Sequence, residues 1–213
     1  MMDPGEHHRE VHKTGHNWLD LIIAISALLI SATSLVVAIV HSRTLEHMAE
    51  ANAKLVETNS WPFLGYGTAN AAGADGTAIE MRIANDGVGP AKIESIELKW
   101  DGSPKRNAFE FLTACCGYQN DPAHRIWTDL VSGRVLRAGE RITFLSFSRS
   151  EKDIAAWQRL NAARLSSRLS IDVCYCSVFD QCWIEDVVRL SLTPRAVDRC
   201  TTPSTPYGFA TRP

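Results

Sequence analysis

The sequence predicts a mainly β protein, in which an N-terminal transmembrane helix continues into a helical stalk and then into an immunoglobulin-like β-sandwich with one or two helical insertions. Three observations predict this class. Residues 21–40 contain no charged side chain over 20 positions, the length that crosses a bilayer core of about 30 Å. Residues 41–59 contain no glycine or proline and are rich in helix-forming residues. From residue 60 onward, short alternating segments are separated by turn residues, as in β-sandwiches.

The chain begins with a polar tail, residues 1–16, that holds four of the seven histidines. On a helix, His8, His12 and His16 would share one face and could bind a metal or sense pH. No carboxylate or cysteine completes an obvious ligand set, and a proline and two glycines loosen the segment. The sequence therefore favours a solvated juxtamembrane tail that holds no metal.

Residues 17–40 are predicted to form one transmembrane helix, with Trp18 at the headgroup boundary. A cleaved signal peptide is a poorer interpretation, because its apolar core spans only about 7–15 residues before a small-residue cleavage site. The length also disfavours a buried helix of a soluble protein. We therefore expect an uncleaved single-pass anchor whose helix continues as a stalk, residues 41–59, to about Glu57.

A stripe at 3,4 spacing runs along this long helix and predicts a dimer face. Its members inside the membrane are small, which favours close helix approach in lipid, and those beyond it are mostly larger apolar residues, which favour a coiled-coil seam in water. One asparagine in such a seam can fix register and dimer state. The proposed dimer face, which passes His41 at the junction, is Ala24, Ala27, Ser31, Ser34, Ala38, Leu45, Met48, Asn52 and Leu55. The alternative is that this spacing arises by chance, because small residues fill much of the segment and the soluble part holds only about two heptads.

Residues 60–192 are predicted to form the β-sandwich. The segment 78–86 alternates, with Ile79, Met81 and Ile83 pointing to one side. The next segment, 91–102, alternates as well, but its pattern shifts by one residue between Ile93 and Ile96, which predicts a β-bulge.

Two helical insertions interrupt the strands. Residues 107–118 lack strict alternation and are predicted to hold a short helix closed by Gly117. Ser150 and Asp153 resemble a capping signal for a helix over 151–166, with Ile154, Trp157, Leu160 and Leu165 on its inner side. In the strand between them, Ile142, Phe144 and Ser146 should share one face, and Thr143, Leu145 and Phe147 the other. Residues 193–213, rich in proline and threonine, are predicted to be disordered.

No motif indicates an enzyme. Gly87 and Gly89 in NDGVGP would fit a phosphate loop only between a strand and a helix, whereas a second strand pattern follows Pro90. A turn whose glycines supply positive φ is the better interpretation. His124 is the only histidine beyond the stalk, and nothing in the sequence places a cysteine beside it for nucleophilic catalysis. The net charge of -2 gives no basic patch for nucleic acid.

The cysteines raise the question of a metal site, a redox centre or disulfides. There are six, and three of them lie in DVCYCSVFDQCW, residues 172–183. Neither paired zinc knuckles nor a Cys-x-x-Cys redox motif is present. Adjacent Cys115 and Cys116 are expected to make a poor mutual disulfide.

A tight turn around residues 179–180 would place Cys176 opposite Trp183 on the two strands of a hairpin. Cys174 and Cys176 would then point to one face, packed in the core with Trp183, while Cys182 points to the other. In that register no disulfide closes among the three, although a shift of one residue would exchange the faces.

The segments WLDLIIAISALLISATSLVVAIVH, EANAKLVETNSWPFL, NDGVGPAKIESIELKWDG and CYCSVFDQCW together resemble a group of uncharacterised bacterial membrane proteins. The resemblance covers most of residues 17–190. It implies an N-terminal transmembrane helix, a short helical stalk and a β-rich domain. It implies no activity and no catalytic residues.

From these patterns we expect a membrane-anchored, non-enzymatic binding or sensing module in the cell inner membrane, dimeric, without cofactor, and with an unidentified protein or small-molecule partner. The alternative is a membrane-perturbing effector whose oligomerised transmembrane helix is the active part. A third hypothesis is an enzyme with a cysteine or metal site. Basic residues near the two ends of the membrane segment are equal in number. The side of the membrane therefore depends on the cysteines, which without a disulfide framework favour a cytoplasmic domain.

Overall fold

The structure is a computed structural model that describes residues 17–73, 76–119, 126–189 and 193–208. The polar tail and His124 lie outside the described residues. The chain divides into two compact units. The first ends at Lys54, and the second begins at Leu55.

A single helix, α1 (Asn17–Thr58), contains the predicted membrane segment and all but the last residue of the predicted stalk. It ends one residue after the predicted position, and it is long and apolar enough to span a membrane. Hydroxyl groups within it, such as those of Ser31 and Thr33, donate to carbonyl oxygens of the preceding turn. These bonds leave the polar groups satisfied without water, as a lipid environment requires.

The second unit contains two antiparallel sheets. The strands of the first are β1 (Leu64–Gly73), β2 (Gly76–Asn85), β5 (Ile126–Thr128) and β7 (Arg141–Ser148), in the spatial order β1-β2-β7-β5. Those of the second are β3 (Ala91–Trp100), β4 (Ser103–Lys105), β8 (Leu169–Cys176), β9 (Cys182–Asp186) and β10 (Arg195–Val197), in the order β10-β9-β8-β3-β4. The short β6 (Val135–Leu136) also pairs with β3.

Both sheets contribute to one hydrophobic core. The predicted inner face of β2 is confirmed, since Ile79, Met81 and Ile83 are fully buried there. The predicted bulge in β3 is also confirmed, because the β3–β8 register shifts between Ile93 and Ser95.

A second bulge, in β7, was not predicted. The β2–β7 register pairs Met81 with Leu145 and Arg82 with Thr143, which leaves Phe144 as the extra residue. A bulge changes the direction of the following side chains, so Phe144 and Leu145 are both buried and the predicted strict alternation of β7 is wrong.

The two predicted helices are present as α2 (Ala108–Cys116) and α3 (Ile154–Ala163). Gly117 closes α2 in the left-handed conformation, as predicted, with φ of 65°. The residues predicted to cap α3 form a preceding turn instead, because the N–H of Asp153 donates to Ser150 and the helix begins only after Asp153. The helix also ends at Ala163, before the predicted end, and Leu165 beyond it is exposed rather than buried.

The tail was predicted to be disordered, and for its described residues this prediction is wrong. Residues 195–208, called the strap below, begin as β10 and pair with β9. The strap passes the outer side of β3, where Ser95 Oγ donates to the carbonyl of Thr201 at 3.5 Å. At its end the N–H of Tyr207 donates to the carbonyl of Ile96 at 2.9 Å, and the Tyr207 ring is buried against Phe144. This proline- and threonine-rich segment is therefore an extended strap, held by the sheet that it crosses.

Candidate functional site

The β8–β9 hairpin places its cysteines differently from the prediction. Cys176 lies opposite Cys182, and Trp183 lies opposite Tyr175. The cause is a longer turn, closed by the N–H of Ser177 and the carbonyl of Gln181 at 2.8 Å. A one-residue change in register moves a side chain to the other face of a sheet.

Cys174, Cys176 and Cys182 consequently share one face. The shared face of the first two is confirmed, but the prediction that they pack in the core with Trp183 is wrong, and Cys182 was wrongly placed on the opposite face. Tyr175 and Trp183 face the core, and the cysteines lie on the outer side of the second sheet. They are nevertheless buried, because the strap covers them.

Two disulfides form on this outer face. One joins Cys176 to Cys182 across the hairpin, and the other joins Cys174 on β8 to Cys200 in the strap. The prediction that no disulfide closes within the hairpin is therefore wrong. It assumed the tight turn, which would have directed the two sulfur atoms to opposite faces.

The four sulfur atoms form a compact group, called the cysteine cluster below (Cys174, Cys176, Cys182 and Cys200). Cys176 Sγ lies 3.8 Å from Cys200 Sγ although these atoms belong to different disulfides. The sulfurs of Cys176, Cys182 and Cys200 all lie within 4.8 Å of one another. Chemically the cluster can exchange disulfides, and as thiolates three of its members could approach one soft metal ion.

A third disulfide joins the adjacent residues Cys115 and Cys116 at the end of α2. A poor mutual disulfide was expected here, and the Cα separation of 3.7 Å is indeed below the usual range of about 4.4–6.8 Å. The two cysteines are nevertheless bonded, so this expectation is wrong, and the described residues include no free cysteine. The argument for a cytoplasmic domain assumed unpaired cysteines, so it loses its premise.

The NDGVGP segment forms a backbone junction around the buried side chain of Asn85. Its Nδ2 donates to the carbonyls of Gly89 at 2.8 Å and Leu136 at 3.0 Å. Its Oδ1 accepts from the N–H groups of Phe63 at 3.2 Å and Gly87 at 3.1 Å. One amide side chain thus ties the entry to β1, the β2–β3 turn and β6 together.

The glycines of this segment have a different role from the predicted one. Among the described residues, those with positive φ do not include Gly87 or Gly89. A Cβ on Gly87 would lie 2.4 Å from Phe63 N, and one on Gly89 would lie 2.0 Å from Ser60 O. Both glycines are therefore required by close backbone approach, and the prediction of positive φ is wrong.

Exposed apolar side chains cluster near the tip of the β8–β9 hairpin. We call this the hairpin-tip surface and define it as Val56, Trp61, Val88, Val178 and Phe179, all of them exposed. The N–H of Val88 donates to the carbonyl of Trp61 at 3.0 Å. Asp180 at the hairpin tip forms an ion pair with Lys92 on β3, and Gln181 donates a hydrogen bond to Glu57, the residue after Val56.

The proposed dimer face lies on α1, where all nine of its residues are exposed in the single chain. Sequence reasoning missed three functional candidates: the Cys200 partnership, the Asn85 junction and the hairpin-tip surface. The even number of cysteines signalled pairing, and the Val178–Phe179 pair beside turn residues signalled an apolar tip. No local signal distinguished Asn85 from an ordinary turn asparagine.

Compared with protein-family models, curated proteins and solved structures, the chain matches none.

Proposed function

We propose that the chain is a membrane-anchored binding or sensing module that works as a parallel homodimer. The hairpin-tip surface carries this proposal, because groups of exposed apolar side chains mark interaction sites. The proposed dimer face ends at Leu55, next to Val56, where the surface begins. A second copy of the chain is therefore the occupant that we propose for it, since a dimer along α1 would bring two such surfaces near each other.

We further propose that the second unit is an immunoglobulin-like sandwich. Immunoglobulin constant-type domains have the strand orders ABED and CFG in their two sheets. By position in the chain, β1-β2-β7-β5 corresponds to ABED and β3-β8-β9 to CFG. The β2–β3 and β8–β9 loops, which carry Val88, Val178 and Phe179 of the hairpin-tip surface, then correspond to loops that bind ligands in variable domains. The chain departs from the pattern in its disulfides, which do not join the two sheets.

The paired cysteines favour a domain on the outer side of the membrane, because disulfides persist in oxidising compartments. Cells expressing the full chain would be quenched in acid, denatured and labelled with a large maleimide, with and without reductant. We expect labelling of the six cysteines only after reduction. Labelling of all six without reductant would contradict this orientation.

The dimer face is tested with single introduced cysteines. Ser34 and Leu45 lie on the proposed face, whereas Val37 and Glu46 are matched positions off it. We expect Ser34→Cys and Leu45→Cys to crosslink chain to chain in membranes much more strongly than Val37→Cys and Glu46→Cys. Equal crosslinking at all four positions would refute the face.

The second copy at the hairpin-tip surface is tested by a photoreactive residue in place of Phe179, with exposed Leu165 as the control position. We expect a product of twice the chain mass from position 179 and none from 165. A product with a different protein, or no product, would contradict a second copy as the occupant. A growth defect that requires only residues 17–58 would instead favour the membrane-perturbing effector.

A further inference from the structure

The cysteine cluster brings two separate disulfides into contact. Cys176 Sγ and Cys200 Sγ lie 3.8 Å apart, and each is bonded to a different partner. Disulfide exchange requires a thiolate to reach the sulfur of another disulfide. If either bond opens, its Cys176 or Cys200 sulfur is already beside the remaining disulfide.

We propose that the cysteine cluster is a thiol–disulfide exchange site that accepts two electrons from a dithiol. Cys200 is half-buried, whereas Cys174, Cys176 and Cys182 are 3%, 5% and 7% exposed. Attack from outside therefore begins at Cys200.

The first half of the reaction opens the strap disulfide. A thiolate of the dithiol attacks Cys200 Sγ and forms a mixed disulfide, while the Cys174–Cys200 bond breaks. Cys174 leaves with the electron pair and takes up a proton. The second thiolate of the dithiol then attacks the dithiol's first sulfur atom, which is bonded to Cys200 in the mixed disulfide. The dithiol departs as a disulfide, and Cys200 is released as a thiolate.

In the second half of the reaction, the Cys176–Cys182 disulfide opens in turn. The Cys200 thiolate attacks Cys176 Sγ, the Cys176–Cys200 bond forms and the Cys176–Cys182 bond breaks. Cys182 leaves with the electron pair and takes up a proton. The cluster has then gained two electrons and two protons, which the dithiol has lost, and the thiols are at Cys174 and Cys182.

Contacts other than the disulfide hold the strap in place during these steps. Besides its disulfide, it is held by β10 pairing with β9 and by the hydrogen bond from Tyr207 to Ile96. Cys200 therefore stays near Cys176 after its bond to Cys174 opens. The new Cys176–Cys200 bond ties the strap to β8 again, so reduction relocates the tether without releasing it.

The experiment uses the full chain in detergent, with Cys115→Ser and Cys116→Ser to remove the vicinal pair. A phosphine reduces part of the protein at about pH 4, far below the ordinary thiol pKa of about 8.5, so that little thiolate forms and exchange stalls. The sample is then raised to about pH 8, alkylated and mapped by mass spectrometry. We expect Cys176–Cys200 to appear only after the pH is raised, with Cys174 and Cys182 alkylated. Persistence of the two native disulfides alone would overturn the proposal.

A second variant needs neither acid nor reductant. In Cys182→Ser, Cys176 is left as a thiol 3.8 Å from Cys200 Sγ of the remaining disulfide. At about pH 8 we expect alkylation at both Cys176 and Cys174, because exchange distributes the free thiol between them. Alkylation at Cys176 alone, in protein whose far-ultraviolet circular dichroism matches the parent, would overturn the proposal.

Discussion

The side-chain amide of buried Asn85 donates to the carbonyl oxygen of Leu136 at 3.0 Å and so links residues that are 51 positions apart in the sequence. The same side chain makes three further hydrogen bonds to backbone groups. All four hydrogen-bonding positions of the amide are therefore used. This residue is a structural centre of the domain, in a segment that resembles a simple turn.

Asn85→Ala should destabilise the domain by about 3 kcal/mol, because each buried backbone group left without a partner costs about 1–3 kcal/mol and part of the loss is recovered by relaxation. The measurement is urea unfolding of the full chain in detergent, followed by tryptophan fluorescence. Asn59→Ala is the control, since Asn59 is exposed and should change stability by less than about 0.5 kcal/mol. Equal effects of the two substitutions would contradict the role of Asn85.

Gly89→Ala should destabilise the domain by at least about 2 kcal/mol, because the added Cβ would meet backbone atoms that cannot rotate away. The nearest is Ser60 O, at 2.0 Å. Gly67→Ala is the matched control, because its Cβ would have no atom within 4 Å. Thermal unfolding of the two variants should separate them clearly, and a tolerated Gly89→Ala would argue against close backbone approach.

Tyr207 tests whether the strap packs against the core. Tyr207→Ala should cost about 3–5 kcal/mol, as for other buried aromatic residues. Tyr207→Phe should be neutral or stabilising, because the buried hydroxyl has no hydrogen-bond partner among the described residues. Urea midpoints of the two variants provide the comparison. If Tyr207→Ala unfolds at the parent's midpoint, the strap does not pack as described.

The domain should lose stability at alkaline pH. Burial raises the pKa of Tyr66 to about 12, and it also raises the pKa values of Tyr175 and Tyr207. Above about pH 10 the unfolded chain releases phenolic protons that the folded domain retains. The stabilisation is therefore complete below about pH 10 and is lost as pH rises towards the folded-state values.

Urea midpoints measured at about pH 9 and pH 11, with short incubation to limit disulfide exchange, should fall with pH. Tyr66→Phe should reduce the fall, because it removes one of the three titrating groups. A fall of the parent's size in this variant would exclude Tyr66 as a contributor.

Local signals predicted much of the fold. The 20 uncharged residues and the following helix formers predicted α1, the shifted alternation predicted the bulge near Ser95, and Gly117 predicted the end of α2. Each of these features depends on neighbours in the sequence, through hydrogen bonds within a turn or side-chain alternation. The candidate site was predicted less well, because the length of the turn after Ser177 decided which cysteines meet.

By itself, the sequence determined an apolar helix of membrane-spanning length, a stalk that continues it and a body of short antiparallel strands. Only the tertiary structure decided that the strap crosses the second sheet, that Cys200 reaches Cys174, and that Gly87 and Gly89 admit passing backbone. The physical reason is the distance along the sequence over which each kind of interaction acts. Periodicity and turn chemistry act over a few residues, whereas these contacts join segments that meet only when the sheets have formed, and a register change of one residue is enough to redirect them.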